Sequence, residues 1–257
     1  MVIELSIEDG IATILLNRPD KYNAMIREMA LALQDTLDQC DKDENVRCIV
    51  IKGAGQAFCA GQDLNEVVDP EGPELQNIVQ EHFNPIIMRI REIEKPIVAA
   101  VNGVAAGAGA NIAVACDLTI AKESASFIQA FSKIGLIPDS GGTFFLPRIV
   151  GMQKATALMF LGYRLSAQEA VDLNMIYKVV VDDQFEKEVK MLASELALLP
   201  TRALGLTKRA LNKSMSNELE KQLAIEGQLQ FAASQTEDYA EGVNAFLEKR
   251  KAVFKGK

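Results

Sequence analysis

Apolar and polar positions change their period several times along this chain, and each change marks an element. Residues 2–7 and 11–16 are apolar or alternating runs on either side of Glu8-Asp9-Gly10, the pattern of a β-hairpin. Asn17-Arg18-Pro19 ends the second run. Met25, Met29, Leu33 and Leu37 recur at helical spacing and predict a helix over residues 25–40. Residues 46–51 read as a strand closed by Gly53-Ala54-Gly55. A small-residue turn over 57–64 follows, then a loop over 69–73. Residues 75–93 read as helix, with Pro85 a kink or break.

The second half of the pattern begins with a short apolar strand over 97–101. Asn102-Gly103 turns the chain, and Gly107-Ala108-Gly109 leads into a helix over 108–115. Strands are predicted over 118–121 and 126–130, a third turn over 136–142, and helices over 141–150 and 154–161. Ser166 and Glu169 form a capping box that opens another helix. After a strand over 176–181 the pattern is helical throughout: 185–198, 203–213, 218–234 and 237–249. Strands interleaved with helices, then helices alone, predict an α/β fold with a helical C-terminal region.

Composition narrows this picture. The 257 residues are 49% hydrophobic and 24% charged, as expected of one large globular domain or a domain with a helical appendage. A net charge of -8 argues against nucleic acid as a partner, while a local basic patch still permits a phosphorylated small molecule. Four cysteines without C-x-x-C spacing and a single histidine argue against a metal site. They predict free thiols in a reducing compartment. The longest apolar run, 98–116, is interrupted by Asn102, Asn111 and three glycines, so no membrane span is expected. The first eight residues read as a strand rather than a signal segment, and the expectation is a soluble, cytoplasmic protein.

The glycine-rich stretch after residue 101 is the first candidate site. A strand, a small-residue turn and a helix start leave adjacent backbone N–H groups bare, which suits an anion. Gly107 and Gly109 fit two positions of a dinucleotide loop, but Ile112 occupies the third, and no Lys-Ser or Lys-Thr follows to make a phosphate loop. Close packing of helix on strand explains the small residues equally well. A second bare turn, Cys59-Ala60-Gly61-Gln62-Asp63, also follows a strand. Two such turns can each give one N–H to a single oxygen, an oxyanion hole. Asp139, in Leu136–Gly142, is open to two readings: a cap for the helix beginning near Gly141, or a base.

The runs AFCAGQDL, KPIVAAVNGVAAGAGANIAVACD and IGLIPDSGGTFFLPRIVG, in this order and spacing, resemble the crotonase (enoyl-CoA hydratase/isomerase) superfamily. LNRPDKYNA and EGVNAFLEKRKAVF extend the resemblance over essentially the whole chain. It implies a crotonase-like ββα spiral core over 1–195, with 196–257 as a helical region for oligomerisation and pocket cover. It implies an acyl-CoA substrate, a homotrimer or dimer of trimers, and no cofactor, coenzyme A being part of the substrate. The family's two oxyanion N–H groups fall on Gln62 and Ala108. The pocket falls on Ala60, Gly61, Asp63, Leu64, Gly107, Asn111, Phe131 and Ile134. Lys21, Lys249 and Lys255 are the candidates to meet the CoA phosphates.

Family hydratases carry two glutamates that here are Asn111 and Phe131, neither able to activate water. Asp139 falls where the isomerase branches carry their catalytic Asp. Apolar neighbours, Ile134, Leu136, Ile137, Phe144, Phe145 and Phe131, are expected to desolvate it and raise its pKa. The expected activity is therefore acyl-CoA isomerisation. The motifs are most similar to the branch that converts ring-1,2-epoxyphenylacetyl-CoA to the oxepin form, with a Δ3/Δ2 double-bond shift as a compatible second activity. A hydratase with an atypical site and a non-catalytic acyl-CoA-binding subunit are the alternatives. Asp63 is expected to cap a turn and Asp117 to pin a strand start. Tyr163 and Tyr177 are expected to pack, and His82 to lie on a surface helix.

Overall fold

The computed structural model describes all 257 residues. β1 (Ile3–Glu8) and β2 (Ile11–Leu16) form the expected hairpin. Helix α1 covers Arg27–Lys42, starting two residues later than its apolar spacing suggests. Met25 is buried as a helical residue would be, but its backbone pairs with the turn at Gln62 instead. β3 (Cys48–Gly53) then passes into β4 (Ala57–Cys59), a three-residue strand inside the segment expected to be a turn.

The helical stretch that follows is α2 (Leu64–Val68), α3 (Leu75–Asn77), a π-helical turn (Ile78–Phe83) and α4 (Asn84–Glu92). Pro85 does not break it. The proline sits in the first turn of α4, where its missing N–H costs little, and the widened π turn precedes it. β5 (Ile97–Val101), β6 (Val104–Ala106) and α5 (Ala108–Ala115) come next. Then follow β7 (Leu118–Lys122), β8 (Ser126–Ile128), a 3-10 turn over Ala130–Ile134, α6 (Gly142–Val150) and α7 (Met152–Leu161). β9 (Arg164–Ser166), α8 (Ala167–Asp172), which carries the capping box, and β10 (Lys178–Val180) lead to α9 (Phe185–Leu198). The chain ends in α10 (Thr201–Ser214), α11 (Leu219–Ser234) and α12 (Glu237–Glu248).

Two sheets result. Six strands run in the order β1-β2-β3-β5-β7-β10, parallel except for the β1/β2 hairpin. Four short strands run β4-β6-β8-β9. Three times, at β3–β4, β5–β6 and β7–β8, the chain crosses from the first sheet to the second before entering helix. That repeated step is the ββα spiral.

Period-two alternation puts both faces of the large sheet into core. Ile49, Ile51, Ile97, Ala99 and Val101 face the larger core, while Cys48, Val50, Val98 and Ala100 face a smaller one. α9 covers the smaller core with Phe185, Val189, Ala193 and Ala197, one residue per helical turn. All eight residues of α5 are buried, its small side chains fitting a helix between the two sheets.

Asp117 performs the expected pinning. Its Oδ2 accepts the Ile97 N–H at 2.8 Å at the start of β5, and the carboxylate also pairs with Lys208 (2.8 Å) and Arg91 (3.2 Å). It thereby ties α10 and α4 to the sheet. Three side-chain placements differ from expectation. Tyr163 and Tyr177 are exposed in the single chain, and His82 is fully buried. The π turn rotates His82 inward together with Ile78 and Phe83.

Candidate functional site

The two bare turns meet. Gly61 has φ +89°, a conformation that favours glycine, and a Cβ there would lie 2.9 Å from the Ala106 oxygen and 3.3 Å from the Ala108 nitrogen. Gly109 is bound as tightly, since a Cβ would sit 2.8 Å from the carbonyl carbon of Cys59. Met25 sets the direction of the first turn. Its N–H donates to Gly61 O at 2.7 Å and its carbonyl accepts the Asp63 N–H at 2.9 Å. In this bridge the N–H of Gln62 points away from Met25, toward the edge along which β6 and the start of α5 run.

Neither the Gln62 nor the Ala108 N–H has a partner in the chain. The Ala108 donor is free because it opens α5, and the first N–H groups of a helix have no internal acceptor. Two free donors on touching turns, beside buried apolar structure, can polarise one carbonyl oxygen.

Asp63 closes the first turn. It caps α2 by accepting the Asn65 N–H at 3.1 Å and pairs with Arg18 at 3.0 Å, both side chains largely buried. Burial pushes this carboxyl up, but the bonds from Arg18 and Asn65 outweigh it and hold it below the usual range. Asp63 thus caps the turn as expected, and its carboxylate, also expected in the pocket, is taken up by Arg18 and Asn65.

Asp139 is brought to the start of α5 by its backbone. The Asn111 Nδ2 donates to the Asp139 carbonyl at 2.9 Å, and Asn111 lies one turn along α5 from Ala108. Burial pushes the Asp139 carboxyl above its ordinary value, against a hydrogen bond from the Ser140 hydroxyl at 2.9 Å. The source of that burial differs from expectation. Ile134, Leu136, Ile137 and Phe144 are exposed, and of the six apolar neighbours only Phe131 and Phe145 are buried.

Residues 6–257 match the profile of the family described as Enoyl-CoA hydratase/isomerase. The chain belongs to the enoyl-CoA hydratase/isomerase family. The 1,2-epoxyphenylacetyl-CoA isomerase of Escherichia coli K12 is 46% identical, over 98% of this chain and 97% of its own. The short-chain-enoyl-CoA hydratase of Clostridium acetobutylicum is 32% identical over 95% of this chain and 94% of its own. The fold matches the crystal structure of the enoyl-CoA hydratase from Bacillus anthracis with a TM-score of 0.92, at 32% identity and full coverage of both chains. The spiral is therefore the crotonase fold.

Measured against the sequence expectation for this family, the structure gathers most but not all of the site. Ala60, Gly61, Gln62, Gly107 and Ala108 form the touching turns, and Phe131 packs on Gly107, its ring 3.8 Å from where a Cβ would be. Leu64 and Ile134 are about half exposed at the margin. Asn111 does not line open space: it is 1% exposed, and its Oδ1 accepts from Gln129 Nε2 at 2.8 Å. Lys21 is beside the first turn, since Ala60 donates to the carbonyl of neighbouring Tyr22 at 3.0 Å.

Lys249 and Lys255 are not gathered. Arg47, just before β3, binds the carbonyls of Phe254 and Leu199, which docks the C-terminal tail at the opposite end of β3 from the turns. The four cysteines are buried, and burial pushes their thiols up to about 11 or 12, so none is a ready nucleophile. No helix is long and apolar enough to cross a membrane. Gln129 and Ser140 are the site residues that sequence reasoning missed. The only signal was their polarity beside Phe131 and Asp139 in otherwise apolar or glycine-rich runs.

Proposed function

We propose that the protein is an acyl-CoA isomerase. The Gln62 and Ala108 N–H groups receive the thioester oxygen, and Asp139 moves the proton. For a 3-enoyl-CoA, the Asp139 carboxylate takes a C2 proton, and the C–H electron pair flows into the thioester as an enolate held by the two donors. The thioester carbonyl then re-forms, the enolate C1=C2 pair becomes the C2=C3 double bond, and the C3=C4 π pair takes the proton from Asp139 at C4. Atoms and charge balance, and one carboxylate suffices.

The observation that carries this reading is the pairing of two unpartnered N–H groups on touching turns with a single desolvated carboxylate nearby. Asn111, committed to hydrogen bonds with Asp139 and Gln129, is not free to activate water. That favours isomerisation over hydration even though hydratases are among the relatives. Ring-1,2-epoxyphenylacetyl-CoA is the proposed substrate, supported by the E. coli relative's name and identity, and the Δ3/Δ2 shift is a second activity.

The same reading makes the protein a cytoplasmic homotrimer or dimer of trimers in which 196–257 supplies the contacts. The helical region supports this assembly: α11 buries none of its residues, and Leu219, Phe231, Phe246 and Leu247 stand exposed. Lys249 and Lys255 would then meet CoA only across a subunit boundary.

The test is turnover of aromatic-epoxide, 3-enoyl and 2-enoyl CoA esters by wild type and Asp139→Asn. Isomerisation is expected to fall about a thousandfold in the variant. Rapid hydration of the 2-enoyl ester that survives Asp139→Asn would sink the assignment in favour of an atypical hydratase. Binding with no turnover of any ester would favour a non-catalytic subunit.

A further inference from the structure

The surroundings of Asp139 carry more information than the reaction alone requires. Its two carboxylate oxygens are unequal. Oδ1 accepts the Ser140 hydroxyl at 2.9 Å, no other residue bonds Oδ2, and the main chain of Asp139 itself also favours the charged form. Ser140 is 1% exposed and adopts φ +50°, a left-handed conformation that a non-glycine residue holds only where its surroundings impose it. The backbone of Asp139 is fixed as well. Its carbonyl accepts from both Asn111 Nδ2 (2.9 Å) and Gly142 N (2.8 Å).

Asn111 is itself held from behind, by Gln129 at 2.8 Å, and both amides are almost wholly buried. Gly142 lies flat against the Asn111 amide, whose Cγ would be 2.8 Å from any added Cβ. The position that a hydratase would give to a glutamate is thus occupied by a buried amide relay running from Gln129 through Asn111 to the Asp139 main chain.

We propose that Ser140, Asn111 and Gln129 are positioning residues that hold the Asp139 carboxylate by one oxygen, leaving Oδ2 as the single oxygen that takes and returns the proton. This rests on the isomerase reading above and deepens it. A proton shift between C2 and C4 asks one base to reach both carbons without releasing the proton in between. A carboxylate free to rotate would exchange its two oxygens between the half-reactions and leave the proton time to escape to solvent. The Ser140 hydroxyl prevents the rotation, and the amide relay prevents the turn itself from shifting. Burial opposes ionisation of the carboxyl, while the Ser140 hydroxyl and its own main chain favour it.

The test compares Ser140→Ala, Ser140→Gly and Gln129→Leu with wild type on a 3-enoyl-CoA, with pH profiles of kcat/KM and deuterium uptake per turnover in D2O. The Ser140 hydroxyl favours the ionised carboxylate, so its removal raises the pKa. The acid limb is expected to move up by about one pH unit in both Ser140 variants. Deuterium uptake per turnover is expected to rise several-fold in both, with KM unchanged. Gln129→Leu is expected to lower kcat and raise deuterium uptake without moving the limb.

An acid limb and deuterium uptake like wild type in Ser140→Ala would overturn the proposal. So would a change in Ser140→Ala that Ser140→Gly does not share, because the backbone and not the hydroxyl would then be responsible. Asp139→Asn separates the two levels. If it stays active, the isomerase reading falls and takes this proposal with it. If it is inactive while the Ser140 variants match wild type, only the positioning role is lost.

Discussion

Gly109→Ala sets local and tertiary effects against each other. Gly109 lies in the first turn of α5, so helix propensity alone favours alanine by about 0.8–1.0 kcal/mol. The tertiary structure opposes it. The new Cβ would stand 2.8 Å from the Cys59 carbonyl carbon and from its Cβ, with the carbonyl oxygen closer still, and real Cβ atoms essentially never approach under 3.0 Å. Cys59 ends β4, is fully buried and cannot rotate aside, so the strand end and the helix start must part by roughly 1 Å.

Overpacking of this kind costs about 1–3 kcal/mol and at times more. Less the propensity gain, a net loss of about 1 kcal/mol is expected, lowering Tm by about 2–4 °C in a chain of this size. The displacement also separates the Gln62 and Ala108 donors. Losing one such donor is worth about 2.7–4 kcal/mol, a hundred- to thousandfold in kcat. Thermal unfolding and 3-enoyl-CoA turnover on the same preparation check both numbers. A variant with an equal or higher Tm and unchanged turnover would refute the claim that the two turns touch and that their spacing matters.

Two further outcomes concern pH and stability. Asp139 has a folded pKa raised by burial, so its favourable contribution is present below the unfolded value of 3.8 and is lost as pH rises through the folded value. Asp139→Asn is therefore expected to raise Tm at pH 7 and to lose that advantage toward pH 4; a lower Tm at pH 7 would count against it. His82 is buried with both ring nitrogens unpartnered, and burial holds its pKa below 6.5, with Glu66 and Glu81 opposing and Arg27 assisting. A lowered histidine contributes stability above its unfolded pKa that is lost as pH falls through the folded one. His82→Phe is expected to keep or raise Tm at pH 7 and to flatten the acid loss below pH 6.5. A large drop in Tm at pH 7 would show that the nitrogens are in use.

The long elements were legible because they carry a period. β2, β3, β5 and the last four helices emerge from alternation or helical spacing alone. The second sheet was legible only at β8. β4, β6 and β9 are three residues each, too short to carry a period, and they are held by neighbours from distant parts of the chain. Met25 misled by fitting the spacing of α1 while serving the turn at Gln62. His82 misled because a π turn adds a residue and rotates the face that helical spacing assigns. The backbone donors were inferable from small-residue turns, whereas the Asn111–Gln129 bond joins positions 18 apart and needed coordinates. Lys249 and Lys255 were grouped with the site by resemblance, but a single chain docks its tail elsewhere.

The bridge between Met25 and Gln62 has a consequence for how such a chain can diverge. The donors it orients belong to the main chain, and every residue except proline supplies the same N–H. Positions 62 and 108 can therefore drift in sequence, within the space available, without erasing the anion site. Positions 111, 131 and 139 act through their side chains, so one codon can change what they do. On the proposed reading, the fold stores oxygen binding in its geometry and proton handling in its alphabet, and a descendant can acquire a new reaction while keeping the old grip on its substrate.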